Sequence, residues 1–168
     1  MISPGDLTPQ TAQKINELLS FADKNGIDAR VVSTRRSCAE QNAIYAGGAG
    51  VVTEARGCQS WHVWGRAADL QIAGPSSDYA VLGAEWKRMG GKWGGDFSFG
   101  DFGHFEWHPG LTIEDVCPDQ SYCPDPNASW PEDRPFFTRP GVQLTGGLVL
   151  AGLGLFFANR LRTGGALF

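Results

Sequence analysis

The sequence predicts an α+β domain in which helices pack on one small antiparallel sheet, followed by a Pro-rich linker and an apolar C-terminal helix. Segments with the helical spacing of apolar residues are mixed with short apolar or aromatic segments, without a repeating strand–helix pattern. From residue 117 the composition changes, and six of the ten prolines fall in the segment that follows. We therefore divide the chain into a folded domain over residues 1–116, an extended linker over 117–140 and an apolar segment over 141–168.

The first predicted helix begins at Pro9, with Thr8 as its N-cap. Apolar residues then recur at helical spacing and form one face, made of Ile15, Leu18, Leu19 and Ala22. Asn25 and Gly26 end the helix, because these residues readily take the left-handed conformation of a helix C-terminus. We expect the apolar face to pack on the sheet.

The remaining elements follow in chain order. Residues 28–34 (DARVVST) predict a strand, and residues 38–48 (CAEQNAIYAGG) a second helix that its two glycines stop. Residues 67–72 (AADLQI) predict a short buried strand, and residues 78–90 (DYAVLGAEWKRMG) a third helix. The inward positions of that helix are expected to be Val81, Leu82, Trp86 and Met89. Residues 92–107 alternate turns with short aromatic strands.

The charge and the N-terminus limit the functional classes. The net charge is −4, and an acidic domain does not favour nucleic acid as a partner, because phosphates need a basic surface. The first ten residues (MISPGDLTPQ) contain neither a basic stretch nor an apolar core. No cleaved N-terminal signal peptide is therefore expected.

The four cysteines indicate a compartment rather than a metal site. No two of them form a C-x-x-C pair, which disfavours a structural cysteine–zinc site. Cys38 with Cys58, and Cys117 with Cys123, are candidate disulfides if the protein works in an oxidising compartment. The alternative is four buried free thiols.

Residues 142–158 (VQLTGGLVLAGLGLFFA) carry no charge. As a helix, this segment would rise about 25 Å at ~1.5 Å per residue, which is short for a bilayer of ~30 Å. We expect it to be a membrane anchor or a contact with a virion protein. A buried or oligomerising apolar helix is the alternative.

Two histidines and a carboxylate form a candidate zinc site. His62 lies in a turn flanked by glycine, and Asp69 follows in the predicted strand 67–72. A neighbouring strand carrying His104 would bring a second imidazole to the same point. A catalytic zinc ion takes three such ligands and leaves one position for water. Each residue could instead be structural, the histidines as hydrogen-bonding groups and the aspartate as a turn residue.

Two carboxylates near His104 have different predicted roles. Glu106 shares a strand face with His104, and Phe105 points the other way into the core, so Glu106 is placed to hold a ligand imidazole. Asp101 precedes His104 across a turn that contains Gly103. This spacing can put a carboxylate beside a metal-bound water without binding the metal, as a general base and later an acid requires.

At this point the motifs resemble those of the M15 family of zinc peptidases, which includes D-alanyl-D-alanine carboxypeptidases and the L-alanyl-D-glutamate endopeptidases of phage endolysins. Residues 60–70 (SWHVWGRAADL) resemble its S-x-H-x-x-G-x-A-x-D signature, and residues 101–107 (DFGHFEW) its D/E-x-x-H motif. Residues 33–48 (STRRSCAEQNAIYAGG) resemble its upstream segment. The likeness runs from about residue 8 to residue 107 and implies a Hedgehog/D-Ala-D-Ala-peptidase-like fold.

The resemblance implies a role for each matching residue. His62, Asp69 and His104 would bind Zn²⁺, and Asp101 would be the catalytic carboxylate. Arg36 matches the arginine that contacts the substrate or the developing oxyanion, although Arg35 stands where the family more often has Tyr or Phe. Gln41, Ser60 and Trp107 are weaker candidates for substrate contacts, and Glu106 would support a zinc ligand. His108 lies beyond the motif, and we expect it to be a surface histidine.

The expected function is that of a zinc peptidoglycan hydrolase that cleaves stem peptides as an L-Ala–D-Glu endopeptidase does. Trp61, Trp64, Trp93 and Trp107 are candidates for the walls of a substrate groove, although at least two should serve only the core. The alternatives are a D,D-carboxypeptidase or dipeptidase acting on D-Ala-D-Ala, and a non-catalytic wall-binding or virion module. The expected site of action is the periplasm or cell wall, with a role in phage lysis or entry, or with membrane anchoring through residues 142–158.

Overall fold

In the computed structural model of this chain, the structure describes residues 6–47, 53–118 and 122–124. The predicted linker beyond residue 124 and the apolar segment 142–158 lie outside these residues, so both stay predictions. None of the helices in the described part has the length and hydropathy of a membrane span.

Four strands and four helices form the domain in the described residues. The helices are α1 (Pro9–Lys24), α2 (Cys38–Ala46), α3 (Ser77–Arg88) and α4 (Ile113–Val116). The strands are β1 (Ala29–Ser33), β2 (Ala67–Ile72), β3 (Lys92–Trp93) and β4 (His104–Glu106). Single 3₁₀ turns cover Gly57–Gln59 and Gly94–Asp96. The strands form one antiparallel sheet in the order β1-β2-β4-β3, which confirms the predicted α+β class.

The first helix begins and ends as the sequence predicts. The Thr8 side chain accepts a hydrogen bond from the Thr11 amide, and Pro9 is the first helical residue. At the other end, Gly26 has a φ of +70°, which favours glycine. The buried face consists of Thr11, Ile15, Leu18 and Ala22. Thr11 joins this face because its hydroxyl bonds the Thr8 hydroxyl at 2.7 Å.

The main core lies between the sheet and helices α1 and α3. Its centre contains Leu18, Leu82, Trp86 and Phe105, none of which is exposed. The indole of Trp86 packs edge-on against Phe105, with 5.9 Å between the ring centroids. Val81 was predicted to face inward but is 43% exposed. The helical spacing of apolar residues includes Val81, but the buried face of α3 is narrow and consists of Leu82, Gly83 and Trp86.

A second, smaller core is built around the cysteines, and it corrects the predicted pairing. Cys38 is bonded to Cys123 and Cys58 to Cys117, with Cα–Cα distances of 6.0 and 5.8 Å. The predicted neighbours in sequence are not partners, because α2 and the turn at Gly57–Gln59 each pack against the segment that follows β4. The two disulfides therefore attach Cys117 and Cys123 to the folded domain.

Candidate metal centre

The three predicted metal ligands meet at the middle of the sheet. Asp69 on β2 and His104 on β4 are direct cross-strand partners, so their side chains leave the same face of the sheet. His62 lies in the turn before β2, which closes with a hydrogen bond from the Gly65 amide to the His62 carbonyl. Gly65 has a φ of +61°, so a glycine is favoured at this point of the turn.

Three ligand atoms form a small triangle. The Nε2 atom of His62 lies 3.2 Å from Asp69 Oδ1 and 3.2 Å from His104 Nδ1, and the last two atoms are 3.0 Å apart. Two ligands bound at about 2.0–2.1 Å to a tetrahedral zinc ion lie about 3.3–3.4 Å from each other. The triangle therefore fits one face of a zinc tetrahedron within a few tenths of an ångström.

The other nitrogen of each histidine is held by the protein. His62 donates from Nδ1 to the Thr34 carbonyl, and His104 donates from Nε2 to Glu106 Oε1 at 3.0 Å. In its neutral form each ring therefore keeps a lone pair on the nitrogen that faces the shared point. Two such lone pairs and a carboxylate oxygen need a cation between them, either a proton or a metal ion. The donor set suits zinc.

The pKa values show how strongly this site favours positive charge. Burial alone would lower the pKa of His104, but hydrogen bonds to Asp69 and Glu106 outweigh it and raise the pKa to about 9. Burial alone would raise the pKa of Asp69, yet its hydrogen bonds to His104 and His62 hold that pKa well below the ordinary value. In the metal-free protein a proton therefore occupies part of the position that a metal ion would take.

Arg36 holds the second oxygen of Asp69. Its Nη2 donates to Asp69 Oδ2 at 2.6 Å and to Ser33 Oγ at 3.1 Å. A register shift in β1 between Val31 and Ser33 brings Ser33 opposite Asp69, and the chain then passes beside the His62 turn. Arg36 also lines the cavity above the ligands. The guanidinium thus orients a ligand and places positive charge at the site.

Gln41, a predicted substrate contact, is fully buried. Its amide donates to the Thr53 hydroxyl and the Ala55 carbonyl, and its oxygen accepts from Arg36. It does not line the cavity, because α2 directs the side chain beneath the 53–55 segment. Gln41 supports this segment and Arg36, and its side chain is not exposed to the cavity for the predicted direct contact with substrate.

A cavity of about 230 Å³ opens beside the three ligands. Among its lining residues are Ser60, Trp61, Phe97, Phe99 and Asp101. Asp101 is half-buried, and this burial raises the pKa of its carboxyl above the ordinary value. The Asp101 carbonyl accepts from the His104 amide at 3.2 Å, which fixes the turn that the sequence predicts. A carboxylate that can accept a proton therefore lies in the same cavity as the ligands.

A larger groove of about 660 Å³ lies between α1 and α3, with Glu17, Lys24 and Glu85 in its walls. Both of its carboxylates already bond a cation on their own helix, Glu17 with Lys14 and Glu85 with Arg88. We assign the chemistry to the smaller cavity, where ligands and carboxylate converge.

The aromatic residues divide between the cavity and the two cores. Trp61 lines the cavity, as predicted, whereas Trp93 and Trp107 belong to the main core and Trp64 packs on the disulfide cluster. Trp107 is buried and its ring packs against Trp86 at 5.6 Å, so it does not lie on the wall of this cavity, and its predicted contact with substrate stays a prediction. Sequence reasoning did not assign Phe97 and Phe99 to the cavity wall; their only signal was a Phe-rich segment directly before Asp101.

His108 was expected on the surface but is buried. Its ring stacks on Trp61, with 4.0 Å between centroids and 9° between planes. Its Nε2 lies 3.0 Å from Glu106 Oε2 and its Nδ1 lies 3.0 Å from the Leu111 carbonyl oxygen. The expectation failed because the chain turns back after β4, which encloses a residue that lies beyond the recognisable motif.

Two comparisons with known proteins give matches. The chain is 31% identical over 127 residues to the peptidoglycan L-alanyl-D-glutamate endopeptidase CwlK of Bacillus subtilis (strain 168), and the alignment covers 63% of this chain and 76% of that protein. A crystal structure of the vancomycin resistance D,D-pentapeptidase VanY in complex with Zn(II) aligns with a TM-score of 0.49 and 19% identity, over 69% of this chain and 86% of that one. No protein-family model matches the chain.

Proposed function

This chain belongs to the M15 family of zinc peptidases, and we propose that it cleaves peptidoglycan stem peptides at the bond between L-alanine and D-glutamate. The observation that carries the proposal is the convergence of His62, Asp69 and His104, with Asp101 in the same cavity. The similarity to CwlK supports the choice of bond, since that relative is named for this endopeptidase activity.

His62, Asp69 and His104 would hold the zinc ion through the three atoms that already face one another. Bound zinc supplies Lewis acidity, which lowers the pKa of a bound water from 15.7 to about 7 and polarises the scissile carbonyl. Arg36 and Glu106 keep two of the ligands in position. Arg36 bonds the second oxygen of Asp69, and Glu106 bonds the Nε2 atom of His104.

Asp101 is the proposed proton carrier. Its carboxylate accepts a proton from the attacking water and later delivers that proton to the nitrogen of the leaving amine. Half-burial favours this double role, because it raises the pKa and makes the protonated form easier to reach. Arg36 places a fixed positive charge near the carbonyl oxygen, where negative charge develops during attack.

The walls of the cavity suit an extended peptide. Ser60 offers a hydroxyl, and Trp61, Phe97 and Phe99 offer flat apolar surfaces. We propose that these residues receive the stem peptide on either side of the bond that is cut. Ser60 thereby keeps the role in substrate binding that its motif implies.

The proposed place of action is the cell wall, outside the cytoplasm. The name of the relative CwlK specifies peptidoglycan, and the two disulfides suit an oxidising compartment. The route to the wall is a finer proposal, in which the endolysin-like motifs favour delivery during phage lysis or entry and residues 142–158 contact a membrane or a virion protein. Fractionation of infected cells and virions tests it, and a protein found only in uninfected host cytosol would contradict it.

Digestion of purified peptidoglycan, followed by mass analysis of the fragments, tests the proposed activity. New N-terminal D-glutamate on the fragments is the expected result. Release of D-alanine alone would assign the chain to the D,D-carboxypeptidases instead. Stoichiometric zinc with no fragments at all would indicate a wall-binding module without catalysis.

A further inference from the structure

A buried row of three side chains leads away from the metal centre, and nothing in the proposed mechanism uses its far end. Glu106 lies between His104 and His108, and it bonds one histidine through each of its two oxygens. We propose that His108 is a positioning residue for the zinc site, which acts through Glu106 on the ligand His104. This inference rests on the proposed function.

The geometry of Glu106 makes it depend on both neighbours. The distances are 3.0 Å from Oε1 to His104 Nε2 and 3.0 Å from Oε2 to His108 Nε2. The side chains of Glu106 and His108 are only 11% and 4% exposed, so water cannot readily replace either contact. Glu106 is therefore a carboxylate whose two oxygens each need a donor.

His108 is itself fixed on three sides. Its second ring nitrogen lies 3.0 Å from the Leu111 carbonyl oxygen, and its face lies flat on Trp61. Trp61 precedes the ligand His62 and lines the cavity. His108 therefore contacts Glu106, which bonds the ligand His104, and Trp61, which precedes the ligand His62. A residue that only filled space would need neither contact.

Loss of the His108 donor would leave a buried carboxylate oxygen without a partner. Such an uncompensated charge is costly, so the Glu106 side chain would rotate to find another donor. This rotation weakens the acceptor for the Nε2 proton of His104. The imidazole would then be less strictly oriented and less basic at Nδ1, the atom that faces the metal position.

Two conservative variants separate the contacts of His108. The side-chain amide of Gln reaches the position of Nε2 and can still donate to Glu106, whereas that of Asn reaches only the position of Nδ1. Zinc affinity of the full chain is measured by competition with a chromogenic chelator, beside the thermal midpoint of the metal-free protein. We expect His108→Asn to weaken zinc binding about tenfold, the low end of the loss for residues that hydrogen-bond a metal ligand directly, because His108 acts through Glu106. His108→Gln should weaken it by no more than about threefold.

A matched control separates positioning from stability. Thr11→Val removes a hydrogen bond of a fully buried residue on α1 that neither bonds a ligand nor lines the cavity, and it should lower the thermal midpoint without changing zinc affinity. A double-mutant cycle adds Glu106→Gln. If His108 acts through Glu106, the double variant should bind zinc about as weakly as Glu106→Gln alone.

Several results would overturn the inference. One is a zinc affinity of His108→Asn equal to that of the wild type. Another is an equal loss of zinc affinity in His108→Asn and His108→Gln. A third is a double-mutant cycle in which the losses of zinc affinity from the His108 and Glu106 substitutions add. Failure of the proposed function has a different signature, since the wild-type protein would then bind zinc without cutting peptidoglycan, or would bind no zinc. If the wild-type protein binds zinc without cutting peptidoglycan, the zinc affinities of the His108 variants still test the inference. If it binds no zinc, both proposals are overturned.

Discussion

Replacing Gly94 with alanine should disable the site while leaving the fold intact. Gly94 lies beneath the turn that carries Asp101 and leads to His104. A Cβ atom at this position would lie 2.4 Å from the Asp101 carbonyl oxygen and 2.9 Å from His104 Cβ. Normal contacts are about 3.5 Å, so the Asp101 backbone would have to move by about 1 Å.

The turn cannot simply swing away from the added methyl group. The Asp101 amide donates to the Gly94 carbonyl at 2.9 Å, so the two segments are tied together at the point of the clash. A displacement of about 1 Å at a catalytic group can cost on the order of 100-fold in rate. We therefore expect cleavage of peptidoglycan by Gly94→Ala to fall about 100-fold, with a smaller loss of zinc affinity through His104.

The assay compares the rate of fragment release per zinc-loaded protein with the thermal midpoint from circular dichroism. Gly26→Ala is the matched control, because its Cβ would meet nothing within 4 Å but its φ of +70° makes alanine cost about 1–2 kcal/mol. The control should lose stability and keep its rate. A Gly94→Ala protein with the wild-type rate would refute the placement of Asp101 over Gly94.

Three further predictions follow from the contacts of the site. Asp101→Ala should end cleavage but keep one zinc ion per chain by metal analysis, whereas His62→Ala should lose both zinc and cleavage. In the metal-free protein, burial would raise the pKa of Glu106, but its hydrogen bonds to His104 and His108 outweigh burial and lower the pKa to about 2. The stabilisation by Glu106 should therefore be complete above its ordinary pKa of about 4.5 and be lost as the pH falls towards about 2. Urea unfolding of Glu106→Gln across this range should show a shallower pH dependence, and equal slopes would contradict the assignment. Replacing Cys58 and Cys117 with serine should lower the free energy of unfolding by about 4 kcal/mol, given the sequence separation of 59 residues, and a loss below about 1 kcal/mol in urea titrations would show that the bond does not form.

The candidate ligands were predictable because each lies in a short motif. The spacing from Ser60 to Asp69 and from Asp101 to His104 reports local chain geometry, a turn before a strand in each case. Period-two alternation placed Glu106 beside His104 and Phe105 in the core, and the structure has both. These inferences needed only the direction of neighbouring side chains along one strand.

The errors share a different origin. The cysteine partners, the burial of His108 and the core position of Trp107 all depend on where the chain goes after β4. Gln41 is a candidate for substrate binding because it is polar, whereas its amide bonds the Thr53 hydroxyl and the Ala55 carbonyl, 12 and 14 residues later. No periodic pattern in the sequence carries this information.

The sequence by itself determined which residues could bind a metal ion, and it determined the helices and the class of fold, because these follow from local spacing and side-chain chemistry. Only the tertiary structure decided that Asp69 and His104 are cross-strand partners, that Arg36 bonds the outer oxygen of Asp69 and that Glu106 is shared by two histidines. These contacts join residues far apart in the chain, and burial makes each of them depend on the packing of the whole domain.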